Sequence, residues 1–107
     1  MFRQLLANAI EAAGRAGKVT VTIAPDGPVV AVAIADTGPG MDAAFVREHL
    51  FKPLRSSKAT GYGVGMYQVR ELLRKAGGRI RVRSAPGEGT TMEVILPRTQ
   101  LEEPAPP

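Results

Sequence analysis

"DTGPGM", residues 36–41, follows without a break on the run VVAVAIA, residues 29–35. A strand that apolar is built for burial, yet it ends on a carboxylate, and two glycines and a proline crowd the next four residues. An isolated D-x-G is more commonly the polar residue that opens a surface turn. The rest of the chain decides between a turn and a site.

Upstream of this stretch, KVTVTIAP alternates apolar and polar residues and DGP makes a turn, so the two runs form a hairpin whose second strand is the more buried. Further back, Leu5, Leu6, Ala9, Ile10 and Ala13 recur at helical spacing, with Gly14 and Gly17 as the stop. Downstream, DAAFVREHLF makes a brief helix that Asp42 caps, and KPLRSSKATGYGVG has no period and reads as a loop. GMYQVRELLRKAGG is the clearest helix, with Met66, Val69, Leu72, Leu73 and Ala76 on one stripe and two glycines at its end. RIRVRSA and TTMEVILP are strands around the turn PGEG. The order of elements predicts an α+β protein, a two-layer sandwich with helices on one face of a mostly antiparallel sheet.

Composition narrows the function. A chain of 107 residues, 44% apolar and 22% charged, builds one globular domain. Without cysteine there is no disulfide, thiolate metal site or cysteine nucleophile, which fits a reducing cytoplasm. No apolar run approaches the roughly 20 residues that span a bilayer, and polar residues interrupt MFRQLLANAIEAAG where a signal peptide is continuously apolar. The net charge of +4 raises nucleic acid as a partner. However, Arg79, Arg81 and Arg83 alternate on one strand face with no aromatic residue among them to stack bases, so nucleic acid is not expected.

Three features occur in order: Asn8 on the first helix, the Asp36 turn, and the glycines Gly61, Gly63 and Gly65 ahead of the long helix. Glycines before a helix N-terminus let backbone N–H groups approach an anion, and the helix dipole adds to the attraction. A Rossmann site needs those glycines directly after a strand, and a P-loop needs a Gly-Lys-Ser/Thr ending; GYGVGMYQ has neither context.

Taken together, these residues resemble the bacterial sensor histidine kinases. LLANAIEA resembles their N box, DTGPGM the first glycine box, LFKPLRSSK the F box, GYGVGM the second glycine box and GEGTTMEVILP the last, all in the family's order. The resemblance implies the Bergerat fold shared with gyrase, Hsp90 and MutL, and ATP bound with Mg2+ beneath a lid. It implies that Asp36 accepts a hydrogen bond from the adenine amino group, that Gly38 and Gly40 let the backbone lie against the base, and that Thr90 reaches the adenine edge through water or Asp36. It implies that Asn8 holds the magnesium and that Lys58, with Arg55 a weaker candidate, meets the terminal phosphate. Met41, Gly61, Tyr62, Gly63, Val64, Gly65 and Met66 complete the implied nucleotide-binding set.

The same resemblance implies that the γ-phosphate passes to a histidine on a separate dimerisation domain, then to a response regulator. His49, the chain's one histidine, sits ahead of the F box in no phosphoacceptor pattern and reads as a surface or packing residue. Gln4 stands where ATP-hydrolysing relatives carry a Glu to activate water; an amide is a poor general base, which favours a kinase over a gyrase- or MutL-type ATPase. Glu11 stands where a Lys is often found, removing one phosphate contact. Residues 1–98 are expected to form the catalytic domain, without the family's usual first strand, and 99–107 a flexible tail. The domain is expected in the cytoplasm, with its parent protein free or membrane-anchored. The alternative is a non-catalytic or degenerate nucleotide-binding module of the same fold. Self-association through the uncovered N-terminal side is a further expectation.

Overall fold

The computed structural model describes residues 1–52 and 65–100. They form helix α1 (Phe2–Ala13), strands β1 (Val19–Asp26) and β2 (Val29–Asp36), a single helical turn α2 (Ala43–Phe45) widening into a π turn (Val46–Leu50), helix α3 (Gly65–Lys75), and strands β3 (Arg79–Ser84) and β4 (Thr90–Pro97). A 3-10 turn, Arg98–Gln100, follows. The sheet order is β1-β2-β4-β3 and every pair is antiparallel, so β4 inserts beside β2 and leaves β1 and β3 as edges. The helices cover one face, as the α+β sandwich predicted.

The run VVAVAIA that reads as apolar throughout divides by size. Val30, Val32 and Ile34 point to the helices and are buried, while Ala31, Ala33 and Ala35 lie half-buried on the open face. Register carries this division across the sheet: Ile34 sits opposite Met92 and Val32 opposite Val94. Leu5 and Ala9 of α1 and Met66, Val69 and Leu73 of α3 close the core from above. Asp42 caps α2 by accepting from the Phe45 N–H at 2.8 Å. His49 is half-buried with its ring 5.9 Å from that of Phe45, a packing residue as expected.

Two helical stripes are narrower than their spacing suggested. Ile10 is 62% exposed and Leu72 52% exposed, because a four-stranded sheet offers each helix only a strip of floor and the stripe's margin overhangs it. Strand β1 departs furthest: beyond half-buried Val19 it is exposed along its whole length, including Val21 and Ile23. The hairpin pairing is as expected, but the alternation in KVTVTIAP does not bury a face, since the helices do not reach over Val21 and Ile23 as they do over Ile80 and Val82 of the other edge strand. No helix among the described residues is long and apolar enough to cross a membrane.

Leu73 is fully buried where α3 meets the sheet. Leu73→Ala should cost about 2–5 kcal/mol, as deletions of buried leucine do, and Leu72→Ala much less; urea unfolding of both variants checks the difference.

Candidate functional site

Strand β2 carries Asp36 at its last position, opposite Thr90, the first residue of β4. Both side chains lie on the helix-covered face and are buried, so Thr90 is no outward-facing strand threonine. The Asp36 carboxylate accepts from the Gly38 N–H at 2.9 Å, an Asx-type turn that starts the glycine stretch.

Backbone on both sides holds that stretch. A Cβ on Gly38 would lie 2.5 Å from the Ala12 carbonyl oxygen, and one on Gly40 would lie 2.0 Å from that of Ala85. DTGPGM therefore threads between the end of α1 and the β3–β4 turn, and each glycine marks a contact too close for a side chain. Gly89 repeats the pattern from the opposite wall: its Cβ would fall 2.1 Å from the Asp36 carbonyl oxygen.

Ser84, which sequence reasoning missed, joins the two walls. Its Oγ accepts from the Met41 N–H at 2.7 Å, lies 3.0 Å from the Gly89 carbonyl and 2.7 Å from the Thr90 Oγ1. A serine closing a strand just ahead of PGEG looks like turn chemistry, and only the register reveals what it reaches. Met41 itself is buried in the core.

Asn8, which a lone helical asparagine would usually spend in solvent, is buried with both ends of its amide engaged. Gln4 Nε2 donates to its Oδ1 at 2.9 Å, one turn earlier on α1, and its Nδ2 donates to the Met66 Sδ at 3.3 Å. Gln4 also packs against Gly65, where a Cβ would meet its side-chain Cδ at 2.4 Å. The third glycine of GYGVG thus has a packing reason of its own, and Met66 is a fully buried core residue beneath Asn8. Ala12 lies one helical turn beyond Asn8, so the asparagine and the DTGPGM turn share one side of α1. Arg55, Lys58, Gly61, Tyr62, Gly63 and Val64 lie outside the described residues.

This donor set suits a nucleotide with magnesium. A buried carboxylate at a sheet rim can accept from an exocyclic amine. The Asn8 amide oxygen is a hard neutral ligand with a second lone pair beyond the one Gln4 uses. Among the described residues no group of three or more acidic, histidine or cysteine side chains could hold a metal alone, so an ion here would lean on phosphate and water.

The chain matches known proteins over most of its length. The family described as histidine kinase-, DNA gyrase B-, and HSP90-like ATPase matches residues 1–100. The sensor histidine kinase ZraS of Klebsiella oxytoca is 39% identical over 94 residues, 87% of this chain and 20% of ZraS. The C4-dicarboxylate transport sensor protein DctB of Rhizobium meliloti (strain 1021) is 43% identical over 94 residues, 86% of this chain and 15% of DctB. The chain therefore spans a fifth or less of the length of these relatives. Among solved structures, the nucleotide-free catalytic domain of histidine kinase ThkA superposes with a TM-score of 0.76 at 28% identity, covering 89% of this chain and 63% of that one. The mycobacterial sensor histidine kinase MprB gives 0.75 at 28% identity, covering 88% and 67%. By its sequence match, its antiparallel sheet with helices on one face, and the carboxylate and glycines at the sheet's rim, the chain belongs to the family of histidine kinase-, DNA gyrase B- and HSP90-like ATPases.

Proposed function

We propose that this chain is the ATP-binding catalytic part of a sensor histidine kinase, which directs a γ-phosphate to a histidine on the dimerisation domain of its parent protein and so, indirectly, to a response regulator. The observation that carries this reading is the buried Asp36, paired in register with Thr90 and walled by glycines that leave backbone, not side chains, around it. The sensor kinases among its relatives support the same reaction.

Asp36 accepts from the adenine amino group, and Thr90 orients it through the shared strand register. Gly38 and Gly40 keep the wall beside the base free of side chains. Asn8 offers its Oδ1 to magnesium, and the opening backbone of α3 at Gly65 faces phosphate with the positive end of its dipole. Lys58 and the residues from Gly61 to Val64 are assigned to the lid over the phosphates. ATP, when bound, supplies the phosphoryl group, and magnesium neutralises its charge. The transfer needs positioning and charge neutralisation from the protein rather than a covalent intermediate. Gln4 has no basic atom to take a proton from water, which favours transfer to an imidazole nitrogen over hydrolysis. The reading places the domain on the cytoplasmic side of any membrane the parent crosses.

Incubated with γ-labelled ATP and a dimerisation domain bearing the phosphoacceptor histidine, the chain is expected to label that histidine. Free phosphate released without labelling would overturn the reading in favour of an ATPase. Asn8→Ala should remove the metal dependence of binding: calorimetric titration with ADP tightens on adding Mg2+ in the unmodified chain by about tenfold or more, and not in the variant. An unchanged metal response in Asn8→Ala would reassign the ion to other ligands.

A further inference from the structure

Asn8 is the chain's one asparagine, and the two ends of its side-chain amide differ toward a cation: the oxygen is a ligand, and the NH2 group is not. Which end faces which way therefore decides whether the residue can hold a metal. Gln4 does not decide it. Its Nε2 donates to the Asn8 Oδ1 at 2.9 Å, but both residues carry the same amide, and turning both over lets the Asn8 Nδ2 donate to the Gln4 Oε1 instead. Gln4 is exposed, so water satisfies whichever end it turns away from Asn8.

Met66 breaks the tie. Its Sδ lies 3.3 Å from the Asn8 Nδ2. A thioether has lone pairs and no hydrogen to give, so it accepts from the NH2 end and offers the oxygen end nothing. Asn8 is 4% and Met66 0% exposed, so the sulfur and not water meets that end of the amide. With the amide turned over, Oδ1 would be set lone pair to lone pair against sulfur. The contact spans 58 residues of sequence. It exists because Met66 is the second residue of α3, directly after the glycine over which the Gln4 side chain packs.

We infer that Met66 is a positioning residue, which fixes the Asn8 amide so that its oxygen, and not its NH2 group, is offered to magnesium. The inference rests on the nucleotide reading above, in which Asn8 is the metal ligand. Leucine has a similar volume and fills the same space, but it accepts no hydrogen bond. In Met66→Leu the present orientation leaves the buried Nδ2 unpaired, which disfavours it by about tenfold or more. Turning both amides over gives that donor a partner in Gln4. The Oδ1 then lies against the apolar core, and the metal loses its ligand although every residue of the site is still present.

Labelling with nitrogen-15 asparagine marks a single side-chain amide, so its orientation can be read by NMR with neither metal nor nucleotide present. In the unmodified chain the Asn8 Nδ2 protons should show nuclear Overhauser contacts to the Met66 methyl group, and in Met66→Leu the same protons should show contacts to the Gln4 side chain. Met92→Leu, at another buried methionine opposite Ile34, controls for repacking of the core and should leave the Asn8 contacts as they are. In calorimetric titration with ADP, the tightening by Mg2+ of about tenfold should fall to about twofold or less in Met66→Leu and persist in Met92→Leu. Asn8 protons that face Gln4 in the unmodified chain would overturn the inference, and this measurement decides it even where Met66→Leu does not fold. A full metal response in Met66→Leu, with the response lost in Asn8→Ala, would also overturn it and leave the nucleotide reading standing. A full response in Asn8→Ala as well would remove the metal assignment itself, and the inference with it.

Discussion

Asp36→Asn is expected to fold like the unmodified protein and to lose ATP by roughly a hundredfold, the upper end for a hydrogen bond to a charged group. The two side chains have the same shape, and the asparagine Oδ1 can still accept from the Gly38 N–H that Asp36 holds at 2.9 Å. What changes is the group offered to the base. A carboxylate accepts from the adenine amine, whereas the asparagine Nδ2 is a donor and meets that amine with like polarity. The same donor suits the carbonyl of hypoxanthine, which the carboxylate repels. The selectivity for ATP over ITP should therefore invert in the variant while thermal stability stays nearly constant. Calorimetric titration of both nucleotides against both proteins checks this. Parallel losses of ATP and ITP would mean that Asp36 serves the turn and not the base.

The second large effect is on the fold itself. Gly40 has φ of 76°, and a Cβ there would stand 2.0 Å from the Ala85 carbonyl oxygen, so Gly40→Ala combines left-handed strain with a backbone clash that no side-chain rotation relieves. Gly87 has φ of 79° with nothing within 4 Å of its Cβ position, so Gly87→Ala carries the strain alone. Gly87→Ala should cost about 1–2 kcal/mol. Gly40→Ala should cost about 4 kcal/mol or more, in the range reserved for substitutions that force backbone apart. Urea unfolding of the pair isolates the contact between DTGPGM and the β3–β4 turn. Equal losses would show that the two walls are not in fact tied at Gly40.

The contrast between these glycines shows where sequence reading reaches its limit. DTGPGM and PGEG both read as turns rich in glycine, and nothing local distinguishes Gly40, which is locked against another strand's turn, from Gly87, which faces open space. Gly65 is similar: a glycine ahead of a helix signals an anion site, but in the fold it packs against the Gln4 side chain. Ile10 and Leu72 fit their helical stripes by spacing, and the width of the sheet beneath leaves them exposed.

By itself, the sequence determined what depends on neighbours along the chain. The two long helices, the four strands, the hairpin and the cap at Asp42 follow from residue spacing and turn chemistry. They also carry the family resemblance and, through it, the groups proposed to meet a nucleotide. Only the tertiary structure decided which of those groups are buried and what they touch. Asp36 meets Thr90 and Ser84 closes on Met41 because β4 inserts beside β2, and Asn8 is enclosed because α3 sets Met66 beneath it. The physical reason is that burial and register arise from surfaces brought together by the whole core, across separations at which one residue's type says nothing about another's place.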